Sequence, residues 1–94
     1  MKNLAAEEPI ALEYWLSHCQ GFRVDSPDGR VGFVEDVCYG VDPDRPEALA
    51  VRVGILGRKV VLVAVDEVVE IIPRKERIIL RAMPPLAQDE AEAV

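Results

Sequence analysis

Residues 22–37, FRVDSPDGRVGFVEDV, decide the fold. Two runs of alternating apolar and polar side chains flank Ser26-Pro27-Asp28-Gly29, where the proline and the Asp-Gly pair each favour a turn. The stretch therefore reads as a β-hairpin, with strand one over Phe22–Asp25 and strand two from Arg30 to about Tyr39. Strict alternation cannot bury Val31, Phe33 and Val34 on one face, so either a bulge intervenes near Gly32 or Phe33 points outward. Gly29 suits a positive φ in the turn, and Gly32 suits a bulge or a close approach of two strands.

Toward the C-terminus the period of two persists. Residues 40–46, GVDPDRP, are too rich in proline and aspartate for a strand interior and read as a loop. Strand three, Ala48–Ile55, sets Leu49, Val51, Val53 and Ile55 on one face against Ala48, Ala50, Arg52 and Gly54 on the other. A tight connection at Leu56-Gly57-Arg58 leads to strand four, KVVLVAV over Lys59–Val65, which is apolar on both faces and so requires cover on both. Strands five (Val68–Ile72) and six (Arg77–Ala82) follow, separated by Pro73 and Arg74-Lys75-Glu76. From Met83 the sequence passes into an acidic tail over 83–94 with the composition of a disordered segment.

Toward the N-terminus the period becomes helical. Over residues 9–20, PIALEYWLSHCQ, Leu12, Trp15, Leu16 and Cys19 fall at the spacing of one helix face, with Pro9 suited to the first position and Gly21 to the one past the end. The chain thus divides into an N-terminal segment 1–20 with a helix over 9–20, a β domain over 21–82 and the tail. The expected fold is all-β: a small, partly open meander barrel of about six short strands with one N-terminal amphipathic helix, the helix or a partner subunit covering strand four.

Composition narrows the function. No apolar run approaches the about 18 residues that a membrane-spanning helix needs. The N-terminus lacks the apolar stretch and cleavage site of a secretory signal, and the expected location is cytoplasmic. Cys19 and Cys38 lie far apart with no CxxC motif, which argues against a zinc site or a disulfide framework. The net charge of −6 belongs mainly to the flanks: residues 1–20 carry one positive and three negative charges, residues 21–82 ten and eleven, and residues 83–94 none and three.

The order of these features resembles the PRC-barrel family. The similarity runs through the Asp-Ser-Pro-Asp-Gly turn (25–29), Val31-Gly32-Phe33-Val34-Glu35-Asp36-Val37, Ala50-Val51-Arg52-Val53, Leu56-Gly57-Arg58 and Val63-Ala64-Val65-Asp66-Glu67-Val68. It spans about two-thirds of the chain. The family includes the cytoplasmic domain of the photosynthetic reaction-centre H subunit, the C-terminal domain of a ribosome maturation factor and small stand-alone proteins, which this chain resembles most. The resemblance implies a barrel used for protein association, with no conserved catalytic residue.

Candidate sites follow from this reading. Tyr14 and Trp15 on the helix, and Phe33 if it points outward, are the candidate partner interface, since aromatic residues are enriched where proteins meet. In a meander, the connections between strands one and two, three and four, and five and six share one end. Arg30, Arg58, Lys59, Arg74, Lys75 and Arg77 would gather there as an anion-facing surface, with Asp42, Asp44, Glu47, Asp66 and Glu67 at the other end. The acidic loop lacks the spaced ligands and glycine of an EF-hand, so it is expected to bind no metal. His18 and Cys19 are helix neighbours that point about 100° apart and have no group to orient a base. With one histidine, two serines and no threonine, the chain is expected to be non-enzymatic and to use no cofactor. The expected role is a protein-interaction or assembly module, expected to pair as a homodimer because so small a β core gains little beyond its entropy cost. RNA or ribosome association through the basic end is the alternative.

Overall fold

A computed structural model describes residues 12–54 and 58–85. Six strands, β1 (Arg23–Ser26), β2 (Gly29–Tyr39), β3 (Pro46–Val53), β4 (Lys59–Ala64), β5 (Val68–Ile72) and β6 (Arg77–Leu80), form one sheet in the order β4-β3-β2-β1-β6-β5. The all-β, six-stranded, partly open architecture with one N-terminal helix agrees with the sequence reading. The sheet rolls without closing.

The meander holds from β1 to β4, where each strand pairs antiparallel with the next. It changes at β6, which joins β1 in parallel, while β5 pairs antiparallel with β6. β4 and β5 are separated only by a 3₁₀ turn, Val65–Glu67, yet they occupy opposite edges of the sheet. Only strong coiling of the sheet allows so short a link, and strand twist supplies that coiling. The end of β6 is tied to this turn, with the Arg81 N–H donating to the Glu67 carbonyl (2.8 Å) and Arg81 Nη2 to the Asp66 carbonyl (2.8 Å).

Bulges shape the rolled sheet. Val31 is the extra residue of β2 opposite the Val24–Asp25 step, and Glu35 is the extra residue before Asp36. The first bulge resolves the pattern that alternation could not: Val31, Gly32 and Val34 are buried while Phe33 faces outward. Both alternatives left open by the sequence are therefore realised. At Gly32 a Cβ would land on the Arg52 carbonyl, so the close strand approach admits no side chain. In the β1–β2 turn, the Ser26 hydroxyl donates to the Gly29 carbonyl (3.2 Å) and accepts from the Asp28 N–H (3.1 Å), and Gly29 takes φ 130°.

The core lies inside the roll. Val24, Leu49, Val51, Val53, Ile78 and Leu80 from β1, β3 and β6 are almost fully buried. Leu49, Val51 and Val53 take the inward face as the alternation predicts. Ile55 and the Leu56-Gly57 connection lie outside the described residues, as do the start of the expected helix at 9–11 and positions 86–94 of the expected tail. Met83, where the expected tail begins, packs against the core.

The helix, α1 (residues 12–16), stops short of the predicted residue 20. Its last turn tightens, with the N–H groups of Ser17 and His18 donating to the carbonyls three residues back, Tyr14 (3.1 Å) and Trp15 (3.0 Å). The chain then turns to send Cys19 into the core. Gly21, at φ 86°, begins the run against β2, with its N–H on the Val34 carbonyl at 2.8 Å.

A candidate interaction face on the outer side of the sheet

Residues directly opposite one another in a ladder point to the same face, so register alone gives the composition of the outer surface. One line across five strands reads Arg77, Arg23, Phe33, Arg52 and Val60. The next outward line toward β4 is Asp36, Ala50 and Leu62, and beyond it come Cys38, Ala48 and Ala64. The face is apolar on its β4 side and rich in arginine on its β6 side. Phe33 (49% exposed), Val60 (40%) and Leu62 (68%) project from it.

Arginines surround Phe33. The Arg30 guanidinium lies 5.8 Å from the ring centroid, within cation–π range. Arg52 pairs with Glu35, the bulge residue of β2. Arg23 and Arg77 converge on Asp25, their Nε atoms donating to Oδ2 at 3.0 Å and 2.6 Å. Burial would raise the pKa of this carboxyl, but the guanidinium hydrogen bonds and charges outweigh burial and hold it below the usual carboxylate range. Asp25 thus fastens the parallel β1–β6 seam at the place where the meander breaks.

That parallel seam also divides the basic end expected from the sequence. Arg77 stands opposite Arg23 at the start of β1, whereas Arg30 stands opposite Asp25 near its end. Arg74 and Lys75 lie in the 3₁₀ turn Pro73–Lys75 that leads into β6, at the end of β1 away from the β1–β2 turn. Arg58 precedes β4 and Lys59 begins it, opposite Val53. The six cations do not form one surface, because β6 joins β1 in parallel and its turn emerges at the opposite end.

The aromatic candidates separate as well. Trp15 is half-buried against the core, with its ring 6.0 Å from Phe22. Tyr14 stays exposed, stacked on His18 at 4.1 Å and set edge-on to Trp15 at 5.0 Å. The helix therefore seals its own core and does not cover the outer face of β4. Sequence reasoning missed Val60 and Leu62 as surface residues. Their signal is the two-faced apolar pattern of strand four, whose outer face carries no cover among the described residues.

Chemistry near the helix is constrained. The Cys19 thiol is buried and donates weakly to the Leu16 carbonyl at 3.5 Å, and burial pushes its pKa up to about 11. His18 is exposed, its Nδ1 2.8 Å from the Tyr14 carbonyl. The two neighbours diverge because the turn after α1 sends Cys19 into the core and leaves His18 exposed, not because of the helical spacing expected for them. In the acidic loop, Asp42 Oδ1 accepts the Asp44 N–H at 2.9 Å, so this carboxylate supports a turn. Among the described residues, no three His, Cys, Asp or Glu side chains are grouped to hold a metal, and no helix is long and apolar enough to cross a membrane. No protein-family model and no curated protein sequence matches the chain.

Proposed function

We propose that this chain is a non-enzymatic protein-association module of the PRC-barrel type, working in the cytoplasm through the outer face of β2, β3 and β4. The observation that carries this reading is that Phe33, Val60 and Leu62 project from one outward face, with Ala48, Ala50 and Ala64 around Leu62, the Arg52–Glu35 pair beside Phe33 and Val60, and arginines toward β6. An apolar centre with a charged rim is the usual anatomy of a protein contact surface. The sequence resemblance over 21–82 supports the family assignment. The divergence of His18 and Cys19, with the thiol held protonated by burial, supports the non-enzymatic part.

Photo-crosslinking tests the reading. A photoreactive side chain at Leu62 or Phe33 should give a discrete protein adduct in cells, whereas the same group at exposed Glu70 on β5 should give none. Absence of any adduct from both face positions, or equal labelling from Glu70, would remove the reading.

A further inference from the structure

We propose that the partner at the β4 border of this face is a second copy of the chain, joined edge to edge through antiparallel β4 strands about a two-fold axis near Leu62. The inference rests on the association reading and names its partner. Three features of β4 carry it: its free edge, its unprotected sequence and the order of its charges.

β4 ends the sheet. It pairs with β3 over six consecutive residues without a slip, and no other strand among the described residues pairs with it. An edge strand turns alternate N–H and C=O groups outward, and proteins commonly blunt such an edge with a charge, a proline or a bulge. Val60-Val61-Leu62-Val63-Ala64 contains no charge and no proline, and its ladder has no bulge. Val61 and Val63 point into the core while Val60 and Leu62 remain on the surface.

The charges select the occupant. Arg58 and Lys59 stand at the start of the strand, and Asp66 and Glu67 follow its end in the 3₁₀ turn. When two such strands run antiparallel with Leu62 at the centre, Arg58 comes level with the partner's Asp66, and symmetry repeats the contact. A parallel pair would set cation against cation. Glu67 already faces Arg81 within its own chain, at 3.9 Å, which leaves Asp66 as the assigned acid. A strand that is basic at one end, apolar through its middle and acidic at the other is complementary to itself in the antiparallel sense. That is the requirement of a two-fold interface. Leu62 then meets the partner's Leu62 across the new ladder, as a cross-strand pair.

Sedimentation equilibrium on the full chain tests this, with Leu62→Lys, Arg58→Asp, Asp66→Arg and the double charge reversal. The wild-type chain should dimerise at micromolar concentration, and Leu62→Lys should weaken the dimer about a hundredfold, since the residue is lost from both sides of the centre. Because Leu62 is exposed, that variant should keep the folded circular-dichroism spectrum. Each single charge reversal should weaken association about tenfold, and the double reversal should recover most of it. Hydrogen exchange should show β4 amides gaining protection as concentration rises. A wild-type monomer across this range, a dimer indifferent to Leu62→Lys, or a double reversal as weak as the singles would each overturn the edge pairing. A monomer that still crosslinks from Leu62 to a different protein overturns the self-pairing while leaving the association reading standing. No adduct from either face position removes both.

Discussion

The two edges of this sheet are built differently. β4 meets β3 in an unbroken register of six pairs and carries exposed Val60 and Leu62 with no charge between Lys59 and Asp66. β5 meets β6 through a ladder that slips one residue at Val69, presents exposed Glu70 next to it, and stops at Pro73. A bulge, a charge and a proline are the devices that keep an edge from recruiting another strand. All three occur at β5, whereas β4 has only Lys59 at its first position and none of them over Val60–Ala64. The sequence therefore terminates one edge and leaves the other able to continue.

The largest expected effect concerns how the terminated edge is held. β5 is attached to the rest of the sheet through β6, whose Ile78 and Leu80 are completely buried. Leu80→Ala should destabilise the fold by about 2–5 kcal/mol, the range for removing a buried leucine side chain from a close-packed interior. Denaturant unfolding measures this, and hydrogen exchange should show β5 losing protection. A loss under about 1 kcal/mol would mean that the β5–β6 half is not anchored through this core.

The next effect lies at the seam that carries β6 and β5. Asp25→Asn keeps the shape but removes the charge that Arg23 and Arg77 share, and should cost about 1–3 kcal/mol, as expected for hydrogen bonds to charged groups. The pH dependence fixes the cause. The folded pKa of Asp25 lies below its unfolded value, so its contribution is complete above the unfolded value of about 3.9 and disappears as pH falls through the lower folded value. Urea unfolding of both proteins should thus show a constant difference from neutral pH down to mildly acidic pH, closing in stronger acid. A difference that persists unchanged in strong acid would exclude the carboxylate as its source.

These contrasts show how far local pattern reaches. The β1–β2 hairpin, the inward face of β3 and the six strands are legible because turn chemistry and period two act within a few residues. The outward turn of Phe33 was legible as a conflict, since no regular strand could bury Val31, Phe33 and Val34 together. The parallel β1–β6 seam was not legible. It depends on residues 52 positions apart, with Arg77 and Arg23 closing on Asp25, and no local spacing announces that contact. With the seam went the expected basic end. The early end of α1 was hidden for a related reason: Cys19 satisfies the apolar spacing of a helix, yet its burial is achieved by a turn that delivers it to the β core.

The smallest effect asks which device blunts β5. In a Leu62→Lys background, where the proposed β4 pairing should be about a hundredfold weaker, Glu70→Val removes the charge at the β5 edge and leaves its bulge and Pro73 in place. A ladder interrupted at Val69 cannot offer a partner the run of evenly placed N–H and C=O groups that β4 offers. The double variant should therefore sediment as a monomer, its association shifted by no more than about twofold, within the usual range for a surface substitution. Dimerisation of that variant would show that the charge of Glu70, and not the bulge, keeps this edge closed.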